Sequence, residues 1–103
     1  MADIRSIIED TIYSEFSWIS GDDKEECNLY VTGKRLYFSK GKKMAVFKCS
    51  NVERIAYSQN SGGNLLLQIY MTGNSYQVFN FPDTDEGRAM ADEVFKDIIE
   101  RIR

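Results

Sequence analysis

Apolar and polar side chains alternate in short runs through most of the chain, and glycine or asparagine interrupts them at close intervals. Successive strand residues point to opposite faces, so a period of two reads as half-buried β-structure. The run Ile12–Ile19 puts Ile12, Phe16 and Trp18 on one face. In Glu26–Val31 the same rule groups Cys27, Leu29 and Val31. Thr32-Gly33-Lys34 then turns the chain, and Arg35–Ser39 returns with Leu36 and Phe38 inward. Lys40-Gly41-Lys42 marks the next tight turn, ahead of Met44–Cys49. Ser50-Asn51 breaks the pattern and Val52–Gln59 resumes it. Asn60-Ser61-Gly62-Gly63-Asn64 reads as a flexible loop, because paired glycines carry the largest backbone entropy. A last hairpin, Leu65–Met71 and Ser75–Phe81, folds across Thr72-Gly73-Asn74. Seven strands with short connections are expected.

After Pro82 the period changes. Ala91, Val94, Phe95, Ile98 and Ile102 recur at helical spacing, the stripe of a helix with one buried face. Asp83-Thr84-Asp85-Glu86 fits a capping box, with Asp83 as the N-cap and Glu86 three residues on. Arg101 and Arg103 suit the negative end of the helix dipole. At the other terminus, Ile4, Ile7, Ile8 and Thr11 fit a short helix, whereas the even positions from Ile8 to Trp18 fit an extended strand. One or two helical turns before the first strand is the favoured reading. Seven antiparallel strands must hide an apolar face, which makes the expected fold class mainly β. The expected form is an antiparallel bent sandwich or partly open barrel, its open end plugged by the C-terminal helix. Residues 1–103 then form one domain: an N-terminal extension over 1–11, strands over 12–81 and a capping helix over 83–103.

Length and composition narrow the chemistry more than the fold. A chain of 103 residues, 43% of them hydrophobic, can bury about two-thirds of its unfolded surface in one core. The absence of histidine removes Ser-His-Asp hydrolysis, Cys-His nucleophiles and imidazole-based zinc sites. Cys27 and Cys49 are too few for a structural zinc site. The meander also sets them about two inter-strand spacings apart (~9.5 Å), beyond disulfide reach, so both are expected as small buried hydrophobes. A reducing, cytoplasmic location is the natural default. The net charge of −3 argues against a nucleic-acid partner. Asp83-Thr84-Asp85-Glu86 lacks the pattern of a calcium loop, and Gly62-Gly63 lacks that of a phosphate cradle. No enzyme activity and no cofactor or metal are expected.

The segment Leu29-Tyr30-Val31-Thr32-Gly33-Lys34-Arg35-Leu36-Tyr37-Phe38-Ser39 resembles a hairpin of GRAM domains and bacterial pleckstrin-homology-like domains. Phe47 through Ile55, with Val52 and Ile55 three apart, is similar to the stretch that follows it in that family. The likeness covers roughly residues 12–103 and implies the pleckstrin-homology superfold: seven strands in a bent sandwich closed by a C-terminal helix. It also implies a binding module, for phosphoinositides or for peptides and protein surfaces. Many members carry a tryptophan on the terminal helix, whereas here the stripe has Phe95 and the only tryptophan is Trp18.

Two sets of residues are candidates for contact. Lys40, Lys42 and Lys43 lie at one end of the third strand, roughly 20 Å from Lys34 and Arg35 at the other. Hairpin alternation puts the three lysines beside Gly21-Asp22-Asp23-Lys24-Glu25-Glu26. In lipid-binding relatives that loop typically supplies the key basic residues, so its acidity counts against a strong phosphoinositide site. The plain reading is that the lysines solubilise a turn and pair with the acidic loop. The other candidates are Tyr30 and Tyr37. With Leu29, Val31, Leu36 and Phe38 inward, both tyrosines fall on the outer face as cross-strand neighbours, a place suited to protein contacts. The leading expectation is therefore a non-catalytic interaction module for a protein or peptide partner, self-association included. It would use the face around Tyr30 and Tyr37 or an exposed strand edge. The alternative is a peripheral membrane adaptor that binds anionic lipid weakly through Lys40, Lys42 and Lys43.

Overall fold

A computed structural model describes residues 4–59 and 62–102 of the chain. Asn60 and Ser61 of the glycine-rich loop, and Arg103 at the helix end, lie outside the described residues. A 3-10 turn over Ile4–Ile7 precedes β1 (Ile12–Ile19), β2 (Glu26–Thr32), β3 (Arg35–Lys40), β4 (Lys43–Lys48), β5 (Val52–Gln59), β6 (Leu65–Met71) and β7 (Ser75–Phe81). The chain closes with α1 (Asp85–Ile102). All seven expected strands form, and the N-terminal segment takes the helical alternative as a single short turn. Among the described residues no helix is long and apolar enough to cross a membrane.

The strands make two antiparallel meanders, a four-stranded sheet in the order β1-β2-β3-β4 and a three-stranded sheet in the order β5-β6-β7. A 3-10 turn over Cys49–Asn51 carries the chain from one sheet to the other. The structure is thus mainly β, a sandwich with a helical cap. It is not a closed barrel, because no ladder joins the two sheets among the described residues. The last hairpin turns at Thr72–Asn74, where Gly73 (φ +79°) and Asn74 (φ +63°) take the left-handed conformation that these two residue types tolerate best.

Between the sheets lie Leu29, Val31, Leu36, Leu67, Ile69, Phe79 and Phe81, all fully buried. Burying each side chain of this size contributes about 1.5–3 kcal/mol. Trp18 ties the layers together: its ring stacks on Phe81 at 4.5 Å, and its indole N–H donates to the Asn80 carbonyl at 3.0 Å. On α1, Ala91, Val94 and Ile98 are buried against this core, and Phe95 and Ile102 pack at its margin. A bulge between Ile12 and Ser14 places Ser14 opposite Val31. There the Ser14 hydroxyl donates to Asp97 Oδ1 at 2.9 Å, fastening β1 to the helix.

The helix start differs from the capping box read in the sequence. Thr84 is the cap: its hydroxyl accepts the Gly87 N–H at 3.0 Å, and its carbonyl accepts the Arg88 N–H. Asp83 instead holds the Arg88 guanidinium, with Nη2 at 2.5 Å. Gly87 is required by close approach, since a Cβ there would stand 2.1 Å from the Pro82 carbonyl oxygen.

Candidate interaction surface

Tyr30 and Tyr37 are direct partners in the β2–β3 ladder and lie on the outer face of the four-stranded sheet, as the alternation requires. They are not open to solvent. Tyr30 is 9% exposed and Tyr37 4%, because the N-terminal turn lies across them with Ile4, itself 2% exposed, as the contact. Ile8 and Ile12 extend the same small cluster. Asp10 fastens this strap. Its carboxylate accepts from the Thr32 hydroxyl (3.2 Å), the Arg35 guanidinium (3.0 Å) and the Tyr37 hydroxyl (3.3 Å). Burial pushes the Asp10 carboxyl up, but the bond from Thr32 and the Arg35 charge outweigh it, so its pKa lies below the ordinary carboxylate value. The expectation that this tyrosine pair offers an accessible face is therefore corrected: the chain's own first turn occupies it.

At the far end of β3 the lysines meet the acidic loop. Lys40 Nζ lies 2.9 Å from Asp23 and 3.5 Å from Asp22, and the Gly41 N–H donates to the Glu26 carbonyl. The Ser20 hydroxyl, together with the Lys40 charge, holds the Asp22 carboxyl at about 2, and Lys40 lowers Asp23 in the same sense. Lys40 is thus neutralised where it stands, while Lys42 and Lys43 remain exposed beside it. Both cysteines are free and buried, and burial raises the Cys27 thiol to about 11, far from a reactive thiolate.

Two features of the surface were not singled out in the sequence. The first is β4. It ends the four-stranded sheet, and its outer-face residues Met44 and Val46 are 52% and 47% exposed. Val46 is the ladder partner of Tyr37, so this apolar strip continues the covered tyrosine pair onto open surface. Beside it a groove of about 430 Å³ runs between β4 and the β6–β7 turn, lined by Val46, Phe47, Lys48, Met71 and Tyr76 among others. Tyr76, 61% exposed, heads a cross-strand ladder in which it packs on Tyr70 at 6.0 Å and Arg54 lies 4.0 Å over the Tyr70 ring. The alternating pattern of β4 was visible, but only the sheet order reveals that no strand among the described residues pairs with its far side.

The second is a cleft where Lys34, Arg35, Lys48 and Arg101 converge. The sequence separates Lys34 and Arg35 from the other lysines, and it gave no sign that the helix end would come to them. Arg35 and Lys48 are ladder partners, which makes the cleft the opposite end of the sheet from the Lys40 turn. No protein-family model matches this chain, and no curated protein matches it.

Proposed function

We propose that this chain is a non-catalytic interaction module, of the kind GRAM and pleckstrin-homology-like domains provide, and that it binds an extended peptide segment of a partner protein along β4. The observation that carries the reading is the edge of β4, unpaired among the described residues, with Met44 and Val46 exposed on it, next to the groove that ends at Tyr76. An edge strand offers free backbone donors and acceptors, and flanking apolar pockets supply side-chain selectivity. Lys43 and Lys48 stand at the two ends of the strand, both exposed. A second copy pairing antiparallel about Ala45, the register that keeps outer face beside outer face, would set Lys42 against Lys48 twice over, which like-charge repulsion opposes. The partner that suits this edge is a peptide with an apolar centre and acidic residues at its flanks. The same lysines protect the free strand from pairing with copies of itself. Two buried free thiols accord with a reducing compartment as its place of action.

Selection of random extended peptides against the immobilised chain tests this. Enriched sequences should carry Glu or Asp around Val, Ile or Tyr, and should shift the amide resonances of residues 43–48. Val46→Glu should weaken them about tenfold or more, as loss of a central contact does. Peptides that shift resonances elsewhere, or bind the variant undiminished, would overturn the reading.

A further inference from the structure

We infer that the cleft between the β2–β3 turn and the C-terminal end of α1 is a binding site for a phosphate-class oxyanion. Its volume is about 490 Å³, and its walls bring together Lys34 from the turn, Arg35 from β3, Lys48 from β4 and Arg101 from the helix. Among the described residues no carboxylate lines it, and the remaining walls include Ser50, whose hydroxyl is a further donor. Cations gathered from distant parts of the chain repel one another, and Asp10 offsets Arg35 alone of the four among the described residues, so the other three call for a counter-charge.

The charges that face the cleft have unequal freedom. Asp10 takes up Arg35, and Glu9 lines the neighbouring hollow with Lys34. Asp97, one helical turn before Arg101, receives the Ser14 hydroxyl on one oxygen. The end of α1 adds about half a negative charge. Against these stand Lys34 and Lys48, both exposed and without an ion pair among the described residues. Arg101 stands with them. Its guanidinium is held 4.6 Å over the Tyr13 ring, and its Nε is buried with no hydrogen-bond partner. A guanidinium set over an aromatic face and two exposed ammonium groups suit a tetrahedral anion, which has several oxygens to accept from them. The cleft lies at the opposite end of the sheet from the Lys40, Lys42 and Lys43 turn. It also differs chemically from the apolar β4 groove, although Lys48 borders both.

Titration of the whole chain with inorganic pyrophosphate at low salt, followed by amide chemical shifts, tests the inference. Saturable shifts are expected at residues 33–35, 48–50 and 101–102. Lys34→Ala with Lys48→Ala should weaken binding about tenfold or more, whereas Lys42→Ala with Lys43→Ala, an equal loss of charge, should change it less than about twofold. A parallel sedimentation with vesicles containing phosphatidic acid identifies the source of the anion. Pelleting that depends on Lys34 and Lys48 supports a lipid headgroup, and pyrophosphate binding without pelleting supports a free anion. Absent shifts, or equal weakening by both double variants, would overturn the site. Because both pairs of lysines are exposed, all variants should fold, and peptide binding at Val46 reports separately on the β4 reading.

Discussion

The outer face of the four-stranded sheet is divided into a covered half and an open half. On β2 and β3, Tyr30 and Tyr37 lie under Ile4, and Asp10 clasps the strap that carries it. One strand further, Val46 pairs with Tyr37 in the ladder and stands open to solvent. The two halves carry similar side chains, a tyrosine pair against a methionine and a valine, and differ in what a distant segment does above them. An apolar outer position therefore marks a surface that will be covered, without saying whether the cover is the chain's own or a partner's.

The sharpest way to break the comparison is to remove the cover. Ile4→Ala should cost about 2 kcal/mol, the low end for a buried isoleucine because the strap can shift, read as a lowered urea midpoint. It should also open Tyr30 and Tyr37 to chemical modification. An unchanged midpoint would mean that the two halves do not differ in stability. A smaller effect is expected from acid. The Asp10 pKa is lowered in the folded chain, so the unfolded chain takes up the proton first. The strap's stabilisation is present above about pH 4 and is lost as the pH falls through the folded value. Asp10→Ala should show the loosened strap at neutral pH and flatten that acid dependence. The smallest effect belongs to the open half: Val46→Lys should change stability by less than about 0.5 kcal/mol, since the residue is exposed and lysine is common on free edges. A large loss there would mean that β4 is covered after all.

Sequence reading reached the strands because their signals are local. Alternation and turn residues such as Gly73-Asn74 act within a few positions, and the strand bounds of β1, β5, β6 and β7 follow them. The helix stripe was legible for the same reason, while its cap was not. Asp83 and Thr84 are both good caps, and the ion pair that draws Asp83 to Arg88 depends on how the first turn of the helix brings them together. Lys40 beside Asp22 and Asp23 was legible because hairpin alternation fixes which turns are neighbours. The covering of Tyr30 by Ile4, and the meeting of Arg101 with Lys34 and Lys48, rest on where the two chain ends settle on the sandwich. No periodicity encodes that.

Trp18 carries a practical benefit. As the sole indole of the chain, it touches Phe38 from its own sheet and Phe79 and Phe81 from the other, and it spends its donor on Asn80 across the gap. Its fluorescence therefore watches the seam between the layers and no other part of the molecule. A shift of its emission to the red signals that the two halves have parted, while loosening of the N-terminal strap should pass without a trace in that channel.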